Sequence, residues 1–161
     1  MRHIVSVLVD NEFGVLSRVA GLFSGRGFNI ESLCVAETID PKVSRMTIVT
    51  TGDDQIIEQI TKHLNKLINV IKVSDLTAED HIERELAMIK VNVGEKDRAE
   101  ILSIIDIFRA KVVDVSPKTY TIEMTGDGEK VNAIIELLKP FGIKEIARTG
   151  KIALARSQKT K

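Results

Sequence analysis

The side chains able to do chemistry are few and scattered. The histidines are His3, His63 and His81, and Cys34 is the single cysteine. None stands at metal-ligand spacing from another. No histidine neighbours Cys34 in sequence to make it a nucleophile, and its alternating surroundings mark it as a sheet residue. There is no Gly-x-x-x-x-Gly-Lys-Ser/Thr and no Gly-x-Gly-x-x-Gly. Gly25-Arg26-Gly27 follows a predicted helix and precedes a predicted strand, the reverse of the order a dinucleotide site needs, so it reads as a helix C-cap. One segment has the character of a ligand site: Asp10-Asn11-Glu12-Phe13-Gly14-Val15-Leu16. It sets a glycine at the start of a helix, straight after a strand. The amides and dipole at that end favour an anion, and a glycine lets a ligand approach the backbone. Val15 and Leu16 offer an apolar wall, and Asn11 can bridge to either charged end of a small zwitterion. The combination suits the carboxylate and aliphatic side chain of an amino acid. The alternative is an ordinary turn capped by Asp10 or Asn11.

The elements that must position this loop follow from the periodicity. Residues 3–10 are short and β-branched, a strand. Val15, Leu16, Val19, Ala20, Leu22 and Phe23 share a helical face that Gly25 and Gly27 end. Strands follow over 29–37 and 45–51, parted by the Asp40-Pro41 turn. Asp53 caps a helix with Ile56, Ile57, Ile60, Leu64 and Leu67 in its stripe, and 70–76 is a strand. The segment 77–84 is charged and without period, a linker. The pattern then restarts: a strand over 85–93, a helix over 97–108, strands over 111–115 and 119–125, a helix capped by Asp127, and one or two strands in 143–155. Thr51-Gly52-Asp53 and Thr125-Gly126-Asp127 anchor the repeat, 74 residues apart. The fold class is α+β: two βαββαβ domains, each an antiparallel sheet with helices on one face. The divisions are 1–77, a linker at 78–84, and 85–161 with a basic, disordered tail from Arg156. Such a layer leaves a sheet face and edges bare, which points to pairing with another copy, a homodimer.

Composition narrows the function classes. The 161 residues carry 23 basic and 23 acidic side chains and no formal net charge, which removes the field that draws nucleic acid or an anionic membrane. RNA-binding modules on this plan need rings on the central strands. Here those strands read Arg45-Met46-Thr47-Ile48-Val49 and Tyr120-Thr121-Ile122-Glu123-Met124, with one tyrosine. The first loop holds neither the paired cysteines of a copper chaperone nor the phosphate-binding arginine of an acylphosphatase. No run of 18 apolar residues exists to span a membrane, the first residues do not form a signal peptide, and one free thiol sets a cytoplasmic expectation.

Asp10-Asn11-Glu12-Phe13-Gly14-Val15-Leu16-Ser17-Arg18-Val19, with Gly27-Phe28-Asn29-Ile30-Glu31-Ser32-Leu33, resembles the N-terminal ACT domain of the small regulatory subunits of acetohydroxyacid (acetolactate) synthase. The similarity covers almost the whole chain, with a ferredoxin-like second domain after a short linker. The resemblance implies a non-catalytic subunit. It binds a separate catalytic large subunit, activates it, and confers feedback inhibition by valine in branched-chain amino acid biosynthesis. Thiamine diphosphate, magnesium and FAD are then expected on the catalytic partner and none on this chain, with no metal site here. It further implies that two ACT domains hold the effector between them. Asn11, Gly14, Val15 and Leu16 come from one chain, and Asn29 and Ile30 from the other. The second half departs from the pattern. Its first loop, Val93-Gly94-Glu95-Lys96-Asp97-Arg98-Ala99, has no glycine at the helix start and two basic side chains, so no effector site is expected there. A free-standing amino-acid-sensing ACT protein with another partner, or a small ferredoxin-like enzyme such as a phosphatase, are the alternatives.

Overall fold

The computed structural model describes residues 1–158. The chain forms β1 (Arg2–Asp10), α1 (Val15–Gly25), β2 (Ile30–Glu37), β3 (Val43–Thr51), α2 (Asp54–Asn65) and β4 (Val70–Asp75). It continues with β5 (His81–Asn92), α3 (Arg98–Ile107), β6 (Lys111–Val115), β7 (Thr119–Gly126), α4 (Gly128–Leu138), a 3-10 turn at Lys139–Phe141, β8 (Ile143–Arg148) and β9 (Ile152–Ala155). The βαββαβ order therefore occurs twice, with antiparallel sheets ordered β2-β3-β1-β4 and β6-β7-β5-β8. Two compact units result: Met1–Ile82 together with the chain from Lys151, and Glu83–Gly150. Among the described residues no helix is long and apolar enough to cross a membrane.

Each unit buries one face of its sheet under two helices. In the first, alternate residues of β1 (Val5, Val7, Val9) and of β3 (Met46, Ile48) meet Val15, Val19 and Phe23 of α1 and Ile57, Ile60 and Leu64 of α2. In the second, Ala87, Ile89 and Val91 of β5 and Tyr120, Ile122 and Met124 of β7 meet Ile101, Ile104, Ile105, Val131, Ile134 and Leu138. The repeated Thr-Gly-Asp corner works alike in both. The carboxylate of Asp53 accepts the Ile56 amide and that of Asp127 the Lys130 amide, each at 2.9 Å. A side chain in place of Gly52 would press on Ile56 at 2.8 Å, and one in place of Gly126 on Lys130 at 3.0 Å. Gly25-Arg26-Gly27 ends α1 as expected of a C-cap. Gly27 has φ +73, its amide donates to Ser24, and the Phe28 amide returns to Phe23 at 2.9 Å, a Schellman motif.

Three expectations change. His81–Arg84, expected within the linker, open strand β5, where half-buried and exposed positions alternate despite the charge. The last strand, β9, expected in the second half, belongs to the first unit. Its Ala153 is buried with Ile4, Val49 and Leu76, on the sheet face away from the helices, so that face is partly covered rather than bare. A four-residue strand is too short for its pattern to show where it packs. Finally, Arg156 does not begin a loose tail: its amide donates to the Asp80 carbonyl at 2.8 Å and its guanidinium lies 3.2 Å from the Asp80 carboxylate. The rest of the expected disordered tail, from residue 159, lies outside the described residues.

Phe23 is fully buried, whereas Asp53 is exposed and acts only as a cap. Phe23→Ala is expected to cost about 3–5 kcal/mol through the cavity it leaves, and Asp53→Ala about 1 kcal/mol. Chemical denaturation followed by circular dichroism ranks the two. Equal losses would contradict the assignment of Phe23 to the core.

Candidate functional site

The turn between β1 and α1 is built on a left-handed residue. Gly14 has φ +79 and ψ −6 and forms the N-cap of α1, with no side chain bonded to the helix end and no acidic residue in its first turn. Asp53 and Asp127 close α2 and α4 with carboxylates; α1 lacks that device, so its N-terminal end is not neutralised by a side chain. Nothing lies within 4 Å of where a side chain at Gly14 would begin. The space beside Gly14 is therefore open, while the Val15 amide donates back to the Glu12 carbonyl at 3.5 Å.

Neither Asp10 nor Asn11 caps the helix. Asn11 is turned to the β2–β3 hairpin, its amide donating to the Lys42 carbonyl at 2.8 Å and its side-chain nitrogen to the Pro41 carbonyl at 2.9 Å. Asp10 holds the other side, its amide donating to the Asn69 carbonyl at 2.9 Å. Asn69 is buried and lies at the hub: its amide nitrogen donates to Asp10 Oδ2 at 3.3 Å and Glu12 Oε2 at 3.4 Å, and Arg18 donates to its oxygen. Sequence reasoning missed this bracing because Arg18 and Asn69 are 51 residues apart and neither type signals the other. The loop is thus a fixed feature before any ligand arrives.

Asn11, Gly14, Val15 and Leu16 come together in this one turn. Val15 points into the core and is 3% exposed, so the apolar surface it was expected to share falls to Leu16, 47% exposed. Asn29 and Ile30 are elsewhere. Asn29 is exposed, and its carbonyl accepts the Thr50 hydroxyl at 2.6 Å. Ile30 is half-buried, opposite Thr50 in the sheet, whereas Asp10 is opposite Val43. The two groups therefore sit at opposite ends of β3, roughly 23 Å apart at about 3.3 Å per residue. A single copy does not bring them to one ligand.

The other candidates are structural. His3 is buried in β1; its Nε2 donates to the Gly52 carbonyl at 3.1 Å, while Nδ1 lies 3.9 Å from an Asp75 oxygen. Cys34 is a half-buried sheet residue opposite Thr47. Among the described residues no group of three or more His, Cys, Asp or Glu is placed to hold a metal ion.

Comparison with known proteins decides the family. A profile described as an AHAS small subunit-like ACT domain matches residues 5–72, and one described as the small subunit of acetolactate synthase matches residues 84–157. The chain is 59% identical over 161 residues to the acetolactate synthase small subunit of Aquifex aeolicus, covering 99% of this chain and 84% of the relative. It belongs to the acetolactate synthase small-subunit family. It is also 52% identical to the small subunit of Haemophilus influenzae, covering 99% of this chain and 98% of that one. The crystal structure of the Thermotoga maritima small subunit superposes with a TM-score of 0.90 at 46% identity, covering 98% of this chain and 99% of that chain. As a member, the chain is a regulatory subunit with no synthase chemistry of its own, and a small subunit implies a large catalytic one.

Glu31, next to the Asn29-Ile30 pair, provides a spectroscopic handle at that end of the small subunit. Its carboxylate accepts the Thr51 hydroxyl and, at 2.6 Å, Arg2 Nε. The Thr51 hydroxyl first, then the Arg2 guanidinium, hold it below the ordinary carboxylate range. A depressed folded-state value means that its contribution to stability is present above the unfolded value and is lost as pH falls through the folded one. Carbon-detected NMR titration is expected to place Glu31 below the ordinary glutamate value, with Thr51→Val moving it upward. No movement in Thr51→Val would contradict the hydroxyl as the main cause.

Proposed function

We propose that this small subunit activates its thiamine-diphosphate-dependent catalytic partner and makes it sensitive to valine, with the amino acid held between two copies of the first unit. The observation that carries this reading is the separation of the two candidate groups along β3. Each is of no use to the other within one chain. β2 is an edge strand of the sheet, and an edge strand presents unpaired backbone groups to a second strand. Antiparallel pairing of β2 with the same strand of a twofold mate sets the start of one β2 beside the end of the other. That brings Asn29 and Ile30 of one protomer towards the Asn11–Leu16 turn of its partner. The effector's carboxylate then sits before the open amide end of α1 at Gly14. Its side chain rests on Leu16 and the other copy's Ile30, with Val15 supporting from the core, and Asn11 and Asn29 reach its polar ends. Thiamine diphosphate, magnesium and FAD belong to the catalytic subunit, and the assembly works in the cytoplasm.

Gly14→Asp tests the loop. The new carboxylate faces the ligand's own; two like charges at about 4 Å repel by roughly 1 kcal/mol in water and about 4 kcal/mol at an effective dielectric of 20. A loss near 3 kcal/mol is more than a hundredfold in affinity. The left-handed backbone also strains any side chain, by about 1 kcal/mol, although Asp and Asn tolerate it best. Gly14→Asn carries the same strain without the charge and is expected to lose much less. Calorimetric valine binding and inhibition curves of the reconstituted enzyme read both variants. Activation is expected to persist in Gly14→Asp while inhibition disappears. Unchanged valine affinity would place the effector elsewhere.

A further inference from the structure

The three most exposed large apolar side chains of the first unit lie at one end of its sheet. Phe13 and Ile39 are each 105% exposed and Ile68 is 94% exposed. They come from three different loops: Phe13 from the β1–α1 turn, Ile39 from the β2–β3 hairpin and Ile68 from the turn between α2 and β4. The register puts all three together, since Asp10 is opposite Val43, Glu37 opposite Ser44 and Val9 opposite Val70. With strand order β2-β3-β1-β4 and strands about 4.8 Å apart, the three tips form a row spanning on the order of 12 Å across the whole end.

The row is held in place, not loose. Asn11 ties the Phe13 loop to the hairpin at Pro41 and Lys42. Asp10, Glu12 and Arg18 tie it to Asn69, next to Ile68. Exposed Glu12, Asp40, Lys42 and Lys66 surround the apolar tips. An apolar centre, preorganised and ringed by charge, is the anatomy of a protein-binding surface.

We propose that this end of the first unit is where the large catalytic subunit docks, with Phe13, Ile39 and Ile68 entering an apolar recess on it. The proposal rests on the regulatory reading above and names the surface which that reading leaves open. Two arguments select this occupant. In the pairing proposed above a second copy reaches the Asn11–Leu16 turn from the β2 edge, whereas Ile68 adjoins β4 at the opposite edge, so the copy does not cover the whole row. An end-on partner does, and membership of a small-subunit family implies one such partner. The arrangement also supplies a route for regulation: Phe13 precedes Gly14 directly, so the contact with the catalytic subunit and the contact with the effector share one turn.

The test uses the full chain with Phe13→Ser, Ile39→Ser and Ile68→Ser combined, each also made singly, and Ile107→Ser on α3, 76% exposed, as the control. Calorimetric titration with the purified cognate large subunit measures docking, and sedimentation equilibrium measures the dimer. The triple variant is expected to remain dimeric with unchanged circular dichroism while its affinity for the large subunit falls at least a hundredfold. The single variants are expected to show graded losses, and the control to stay within twofold. Unchanged large-subunit affinity in the triple variant would overturn the surface and leave the regulatory reading standing. Collapse of the triple variant to a monomer would show that a second copy covers the row, and would overturn it too. If the unaltered chain fails to bind the large subunit, the regulatory reading itself falls.

Discussion

The unbroken register of β1 on β3, nine consecutive pairs from Arg2 opposite Thr51 to Asp10 opposite Val43, is the constraint from which the rest of the first unit follows. A slip of one residue would turn Val5, Val7 and Val9 away from the helices and expose the core. The same register decides where function can lie. It delivers the β1–α1 turn, the β2–β3 hairpin and the approach to β4 to one end of the sheet, and Asn29 and Ile30 to the other. A regulatory site that uses both ends needs two protomers, and a docking surface at one end reaches the turn that holds Gly14.

Within that frame the local chemistry differs between the halves. The second unit repeats the Thr-Gly-Asp corner but not the first turn. Asp97 begins α3 with an ordinary right-handed backbone, and Glu100 lies in the helix's first turn. An acidic side chain at a helix start satisfies the dipole locally and repels an incoming carboxylate. α1 has neither feature. The two halves therefore share the packing rules, and only the first has a helix that starts behind a left-handed glycine.

The parts legible in the sequence were those governed by local rules. Asp53 and Asp127 read as caps because a carboxylate before an apolar-periodic run has few other roles, and both carboxylates accept the expected amides. The strand and helix order was legible because 2.0 and 3.6 periods separate cleanly in an ordinary globular composition. What was hidden is non-local. Asn11 looked like a cap but bonds Pro41, 30 residues on. Val15 looked like ligand wall and core alike, and only three-dimensional packing separates the two. His81–Arg84 looked like a linker because charge masked a strand alternation. Ala153 and Arg156 joined the first unit through partners far back in the chain, Ile4 and Asp80, that no local pattern announces.

The central claim is that each effector is held by two protomers, and mixing two inactive variants tests it most directly. In Gly14→Asp and Asn29→Ala homodimers every shared site carries a substitution. In a mixed dimer, isolated with two different affinity tags, one site gathers both substitutions and the other is entirely unaltered. Calorimetry is predicted to find one valine per mixed dimer, bound as tightly as by the unaltered chain. If both variant homodimers have lost binding and the mixed dimer recovers none, each site lies within a single chain and the two-protomer account is wrong.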